Sequence, residues 1–236
     1  MLVSLAAIAL AYLLGSVPVA YLTGRATKGI DLRERGSGNA GASNVWQSVS
    51  KWLVVPVGLA QIGQGLGAVL IARALDGGDG VQAACGVAAV LANDWNPWLR
   101  LTSPRRAFGG GRGIGTMIGV LLVLSPAALV VFAVISIAGV AVKAAPQAVA
   151  VALIATPVAA LAAGQPGVIV MSCAALASIA LLKRVLANGA PDASSPRPRV
   201  WLNRLLLDRD IRDRDAWVRR GVEGSPQKRG DAEMDA

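Results

Sequence analysis

The chain has 236 residues, 54% of them apolar and only 16% charged, and its mean hydropathy is +0.55. That balance excludes an ordinary soluble globular domain and makes lipid the expected solvent. In a soluble protein, 23 basic against 14 acidic residues would suit nucleic acid; here the basic residues gather between apolar runs, which points to membrane orientation and to no nucleic-acid partner.

In chain order, apolar stretches fall at about residues 2–24, 52–72, 81–99, 113–124, 127–142, 145–163 and 166–182. A hydrocarbon core about 30 Å thick takes roughly 20 helical residues. The expectation is therefore an all-α polytopic membrane protein with about seven transmembrane helices. With the N-terminus outside, every basic residue except Arg73 lies on the inner side, including all those from Lys183 onward, so the C-terminus is expected in the cytoplasm. The first stretch lacks a charged n-region and stays apolar to Leu22, so it is read as a membrane helix rather than a cleaved leader. Cys85 and Cys173 fall inside spans and have no metal-ligand spacing.

Between the first two spans, Arg25 to about Ser50 is dense in Gly, Ser and Asn. Gly36, Gly38 and Gly41 match G-x-G-x-x-G, but the charged Asp31 to Arg35 precede them instead of an apolar strand, which rules out a dinucleotide fingerprint. The physical content is more general. Glycines let successive backbone N–H groups converge on an anion, and Ser37, Asn39, Ser43 and Asn44 add side-chain donors, a combination suited to phosphate. Ser43 or Asn44 opening the second membrane helix would add that helix's N-terminal field.

Trp95 and Trp98 around Pro97, with Trp46, are expected as membrane-interface anchors. The next loop ends in Gly109, Gly110, Gly111, Arg112, Gly113, Gly115 and Thr116 and leads into the fourth span. Arg112 offers a fork for bidentate phosphate binding. A Walker A match fails for want of Lys followed by Ser or Thr, and the competing reading is glycine-mediated helix approach. With no His in the chain, an intact Ser-His-Asp or Cys-His centre is excluded.

The domain plan is a transmembrane unit over 1–186, a Pro- and Ser-rich linker over 187–199, an amphipathic cytoplasmic helix within 200–220 and a disordered tail over 221–236. The amphipathic segment, Trp201 to Leu206 followed by alternating Asp and Arg, suits either the inner leaflet or a partner surface.

The segments YLLGSVPVAYLTGR from Tyr12, DLRERGSGNAGASNV from Asp31 and GGGRGIGT from Gly109 resemble the PlsY family of bacterial glycerol-3-phosphate acyltransferases. The resemblance implies a seven-helix protein of the bacterial plasma (inner) membrane, its active site facing the cytoplasm. It implies transfer of an acyl group from acyl phosphate to glycerol 3-phosphate, or a related phospho-alcohol, for phospholipid biosynthesis, without metal or cofactor. Carried over residue by residue, Ser37, Asn39 and Arg112 are the catalytic set. Gly36, Gly38, Gly41, Ser43, Asn44, Gly110, Gly111, Gly113 and Thr116 form the substrate-binding set. Membrane lipids are the other expected partners, and the oligomeric state stays open. The family's D-x-x-K-G reads Gln61-Ile-Gly-Gln64-Gly65 here, and its G-H-x-x-P reads Asn93-Asp94-Trp95-Asn96-Pro97. The alternative functions are a catalytically degenerate lipid-phosphate binder or regulator, and a small-solute transporter with Asp94 as its one candidate coupling group.

Overall fold

The computed structural model describes residues 1–102, 110–187, 196–213 and 215–217. Gly109, most of the expected linker and the expected tail over 221–236 lie outside the described residues. The described residues are helical and contain no strand. The elements are α1 (Leu2–Ser16), α2 (Val19–Lys28), α3 (Ala42–Ser48), α4 (Val54–Ala74), α5 (Asp79–Asp94) and α6 (Pro97–Thr102). They continue with α7 (Ile114–Leu124), α8 (Pro126–Ala141), α9 (Ala145–Ala162), α10 (Gly167–Leu186) and α11 (Arg197–Leu207).

Each of the seven apolar stretches is helical, with α1 and α2 sharing the first. Among the described residues, four helices are long and apolar enough to cross a membrane: the α1–α2 segment, α4, α9 and α10. Helix α7, at about 1.5 Å per residue, is much shorter than a bilayer core. Large apolar side chains such as Val134, Ile137, Ile154, Leu161 and Met171 are exposed on α8, α9 and α10, as a lipid-facing surface requires. The inward faces of α4, α5 and α7 to α10 supply one core, which includes Val69, Val90, Met117, Val120, Leu121, Phe132, Leu153 and Leu176.

Two close approaches fix α4 against α7. A Cβ on Gly65 would lie 1.8 Å from the Thr116 carbonyl oxygen, and one on Gly119 would lie 1.9 Å from that of Ile62. Any side chain at either position forces the two helices apart.

Within the first span the helix is interrupted at Pro18, between α1 and α2. Pro18 lacks the N–H that would bond to the Leu14 carbonyl, and its ring ends α1 there. In an apolar surround the freed carbonyls need other donors. The Gln64 amide reaches across from α4 to Leu14 O at 2.8 Å and Val17 O at 2.9 Å. The Ser16 hydroxyl donates to Leu13 O at 2.7 Å, and Asn96 Nδ2 donates to Ser16 O at 2.6 Å. Trp98 Nε1 donates to Ser16 Oγ at 2.9 Å. Trp98, expected as an interface anchor, thus also locks this corner.

The loops that follow α2, α5 and α8 gather at one end of the bundle together with the end of α10. Arg33 Nη1 donates to Leu99 O at 2.7 Å, and Arg184 Nη1 donates to Pro146 O at 3.0 Å. The first half of the amphipathic segment docks there too, since α11 packs on α9 and α10 with Val200 and Arg204 buried. Trp201, Leu202 and Leu206 of the same helix stay exposed.

Gln64→Leu keeps the volume but leaves Leu14 O with only a 3.4 Å contact from the Val17 N–H. A buried carbonyl without a donor costs about 1–3 kcal/mol. We expect a stability loss of about 2 kcal/mol, read as a lower unfolding midpoint in detergent; an unchanged midpoint would refute the capping role.

Candidate active site

Loop A runs from α2 to α3. Asp31 caps a 3₁₀ turn over Leu32–Glu34, its Oδ1 accepting from the Arg33 N–H at 2.9 Å. The Arg33 guanidinium turns back on the same carboxylate, Nη2 at 2.7 Å and Nε at 3.0 Å, and lies 5.2 Å from the centre of the Tyr21 ring. Burial pushes the Asp31 carboxyl up, but the hydrogen bonds and charge of Arg33, aided by Arg25, outweigh it and hold the carboxyl below the usual carboxylate range.

Gly36 and Gly38 take positive φ, +55° and +70°. At Gly36 the constraint is double, because a Cβ would sit 2.3 Å from Asn44 Oδ1. Asn44 is fully buried, and its Nδ2 donates to Leu32 O, Arg35 O and Asn39 O at 2.8, 3.0 and 2.9 Å. Its Oδ1 accepts from the Ser48 hydroxyl at 3.0 Å. One amide therefore gathers three carbonyls of loop A.

This corrects two expectations. Asn44 was expected as a ligand donor, but it frames the loop from inside. Neither Ser43 nor Asn44 opens the second membrane helix: Gly41 caps the seven-residue α3, and α4 begins only at Val54. Ser43 is exposed. In contrast, Ser37 Oγ and Asn39 Oδ1 are buried and have no hydrogen-bond partner among the described residues. Buried polar atoms in a folded protein are nearly always paired, so these two mark where a ligand would complete the loop.

Loop B, Gly110 to Gly113, lies against both loop A and the end of α5. The Ala40 N–H donates to Gly110 O at 3.3 Å, and the Gly111 N–H donates to Asn93 O at 3.1 Å. A Cβ on Gly110 would lie 2.1 Å from Asp94 O, and one on Gly111 2.2 Å from Asn93 Oδ1. At Gly113, φ is +66° and the Cβ position is 2.8 Å from Asp94 Oδ1. The space beside these glycines, expected to cradle phosphate, is taken by the end of α5. Their close packing holds loop B, and with it the Arg112 backbone, against the end of α5. A Cβ on Gly41 would lie 3.3 Å from Asn39 Nδ2, and the Thr116 Oγ1 is buried without a partner among the described residues.

The sequence reading missed the charges around Arg112. Arg112 Nε meets both oxygens of Asp208, at 2.9 and 3.1 Å, just past α11. Asp94 is fully buried within electrostatic reach of Lys183, Arg112 and Asp208. Its carboxylate oxygens have no hydrogen-bond partner among the described residues. Lys183, also fully buried, donates through Nζ to the Asp94 carbonyl oxygen and lies 5.0 Å from the centre of the Trp95 ring. The available signal was the pair of charges at span ends, Asp94 and Lys183, each costly in a membrane unless paired or functional. Nothing in the sequence pairs Arg112 with a residue 96 positions away.

Comparison with known proteins adds the following. The sequence model described as "Glycerol-3-phosphate acyltransferase" matches residues 5–188. Glycerol-3-phosphate acyltransferase 4 of Dehalococcoides mccartyi is 33% identical over 219 residues, covering 89% of this chain and 91% of that protein. A glycerol-3-phosphate acyltransferase of Prochlorococcus marinus is 47% identical over 96 residues, covering 41% of this chain and 47% of that one. The crystal structure of PlsY (YgiH), an integral membrane glycerol 3-phosphate acyltransferase, in its glycerol 3-phosphate form matches with a TM-score of 0.71 and 27% identity, covering 89% of this chain and 95% of that one. Its lysophosphatidic acid form matches with a TM-score of 0.69 and 26% identity over 89% and 94%.

Two tests follow from the geometry of loop A. Asn44→Ala strips three carbonyls of their common donor, and a loss of about 3 kcal/mol in unfolding stability is expected; a loss under about 1 kcal/mol would show that water replaces the amide. The Asp31 carboxyl is lowered on folding, so the stability it contributes is fully present above its ordinary value near pH 4 and fades as pH falls through the lower folded value. Asp31→Asn should therefore cost stability at neutral pH and flatten the acid limb of a stability–pH profile, while parallel profiles would contradict the pairing.

Proposed function

We propose that this chain, which belongs to the glycerol-3-phosphate acyltransferase family, acylates glycerol 3-phosphate from an acyl phosphate donor at the junction of loops A and B. It is an integral membrane acyltransferase of phospholipid synthesis. The observation that carries the site is the pair of unpartnered buried atoms, Ser37 Oγ and Asn39 Oδ1, beside the loop that presents Arg112.

The chemistry fits a chain without His. An acyl phosphate is an activated anhydride, so the acceptor hydroxyl needs positioning more than strong base catalysis. Its oxygen bonds to the acyl carbon, the bond from that carbon to the phosphate oxygen breaks, and the hydroxyl proton ends on the departing phosphate. Arg112 holds phosphate oxygens in its fork, and Ser37 and Asn39 align the reacting groups through the polar atoms that loop A leaves unpaired. Gly36 and Gly38 shape the loop backbone around them, Thr116 completes the wall from α7, and Gly110, Gly111 and Gly113 support Arg112 against α5.

In the proposed orientation, seven segments cross the bilayer with the N-terminus outside, and the active site opens to the cytoplasm of the bacterial inner membrane. The support is that the basic loops converge on the end of the bundle that carries the site. A role confined to binding or regulation draws no support from the relatives. Transport would need an ion-coupling group, and Asp94 instead sits at the site's edge among Lys183, Arg112 and Asp208.

Purified protein given an acyl phosphate and labelled glycerol 3-phosphate should form lysophosphatidic acid. Ser37→Ala and Arg112→Ala should each lower kcat/KM by about a hundredfold. Absence of product from wild-type protein, under conditions in which a family relative turns over, would overturn the reading.

A further inference from the structure

The family match ends at residue 188, and α11 lies beyond it. We propose that α11 and the turn after it bind an anionic phospholipid of the leaflet at the site end of the bundle. Its headgroup phosphate lies between Arg199 and Arg212, and Trp201, Leu202 and Leu206 rest on the acyl boundary. Nothing in this lipid site depends on the acyl transfer proposed above.

Buried contacts fix the depth of α11. Arg204 is almost fully buried and forms a bidentate pair with Asp210, Nε to Oδ1 at 2.7 Å and Nη2 to Oδ2 at 3.0 Å. Its Nη1 donates to Val185 O at 3.0 Å. Arg184 Nη1 donates to both Leu205 O, at 3.2 Å, and Pro146 O, at 3.0 Å. Val185 is near the end of α10 and Pro146 near the start of α9, two helices long and apolar enough to cross a membrane. A helix tied to those ends sits at the boundary between acyl chains and headgroups. At about 3.6 residues per turn, Val200 and Arg204 share the face turned to the bundle, while Leu202 and Leu206 point the opposite way with Trp201 beside them. All three apolar side chains are exposed, as are Val142 and Lys143 in the turn that joins α8 to α9 at the same end. An apolar face with a tryptophan, held at that depth, has the character of an interfacial helix.

The charges sort to match. In sequence, Asp and Arg intermix from Asp208 to Asp215 and nearly cancel, but the fold separates them. Asp208 turns to Arg112 and Asp210 to Arg204, while the Asp213 carboxylate accepts from the N–H groups of Asp215 and Ala216 at 2.8 and 3.0 Å. Arg209 is engaged with backbone, Nε on Ile211 O at 3.1 Å and Nη2 on Arg212 O at 2.9 Å. Asn203 Nδ2 closes the turn on Asp210 O at 2.9 Å. Arg199 and Arg212 are both exposed, and with Leu202 and Asn203 they line one groove of about 600 Å³. Asp213 and Asp215, also exposed, do not line it. Two guanidiniums beside a leucine suit a phosphate that carries acyl chains better than a soluble anion, because apolar surface adjoins the cations. The depth of the helix makes the leaflet, rather than a protein in solution, the surface that this face meets.

The test compares the full-length wild type with a double variant, Arg199→Gln and Arg212→Gln. Both side chains are exposed and neither belongs to the Arg204–Asp210 clamp, so the unfolding midpoint in detergent should not change. Native mass spectrometry with added phosphatidylglycerol or phosphatidylcholine reads the binding. Wild type should retain phosphatidylglycerol the more tightly, and the double variant should lose about twentyfold of that affinity, the size expected of two arginines at an anionic surface. Equal retention of the two lipids by wild type, or equal phosphatidylglycerol affinity in wild type and variant, would overturn the site. A nitroxide on Leu202→Cys tests the face with both arginines in place, and the native cysteines, Cys85 and Cys173, are buried away from the label. In phosphatidylglycerol nanodiscs the label should be open to oxygen and shielded from a water-soluble nickel complex. A label open to nickel would place the face in water and overturn the proposal. A label shielded from both reagents would show the face covered by protein, a second copy or another part of the chain, and would overturn it equally.

Discussion

A helix that ends inside a membrane protein must find donors for its last carbonyls, and the rest of this structure depends on how α1 solves that problem. Pro18 removes the natural donor to Leu14 O, and Gln64, Ser16 and Asn96 supply replacements from three elements. Each replacement also locates something. Gln64 registers α4 against α1, and Asn96 holds the start of α6 under the corner. With α6 fixed, Arg33 can reach Leu99 O and bring loop A down on the bundle end. The site is thus assembled from a chain of backbone oxygens that needed partners, each supplied by a side chain from another helix.

The same accounting separates frame from site within the loops. Asn44, Arg33 and Asp31 have their polar atoms engaged with protein, and the glycines of loop B have their open sides filled by α5. What is left over around the two loops is Ser37 Oγ, Asn39 Oδ1, Thr116 Oγ1 and the two Asp94 carboxylate oxygens. A rigid loop with a few unsatisfied donors and acceptors is pre-organised: the ordering cost of holding a phosphate is met during folding rather than on binding.

The helices were legible in the sequence because long apolar runs admit almost no other structure in lipid, and the loops were legible because Gly, Ser and Asn cluster there. The break at Pro18 was readable in principle, since proline inside a helix removes a donor, but the apolar run through Tyr12 to Leu22 masked it. The division of loop residues into frame and site was not readable. Asn44 and Asn39 are the same residue type five positions apart, and only tertiary contacts decide that one gathers carbonyls while the other keeps an oxygen unpaired. The same holds for Gln64. It stands where the family's motif has lysine, and its neighbours make it the cap of a broken helix. Asp208 was hidden for a different reason: in a run of alternating Asp and Arg, every member has a local partner at hand, and nothing local distinguishes the one that reaches Arg112.

The charges around the site follow one logic. Lys183 is anchored to the Asp94 carbonyl and the Trp95 ring, Arg184 to the Pro146 and Leu205 carbonyls, and Arg112 to Asp208. None of the three depends on a long, solvated side chain finding its geometry when substrate arrives. Fixed cations in a low-dielectric surround act more strongly on a bound dianion than mobile ones at a surface, and they lose less entropy in doing so. Their cost falls on folding, where each buried cation must be matched, and Asp94 and Asp208 are the acidic groups placed to match them. In the proposed site, acidic residues, which would weaken phosphate binding if they faced the ligand, would serve to hold the cations.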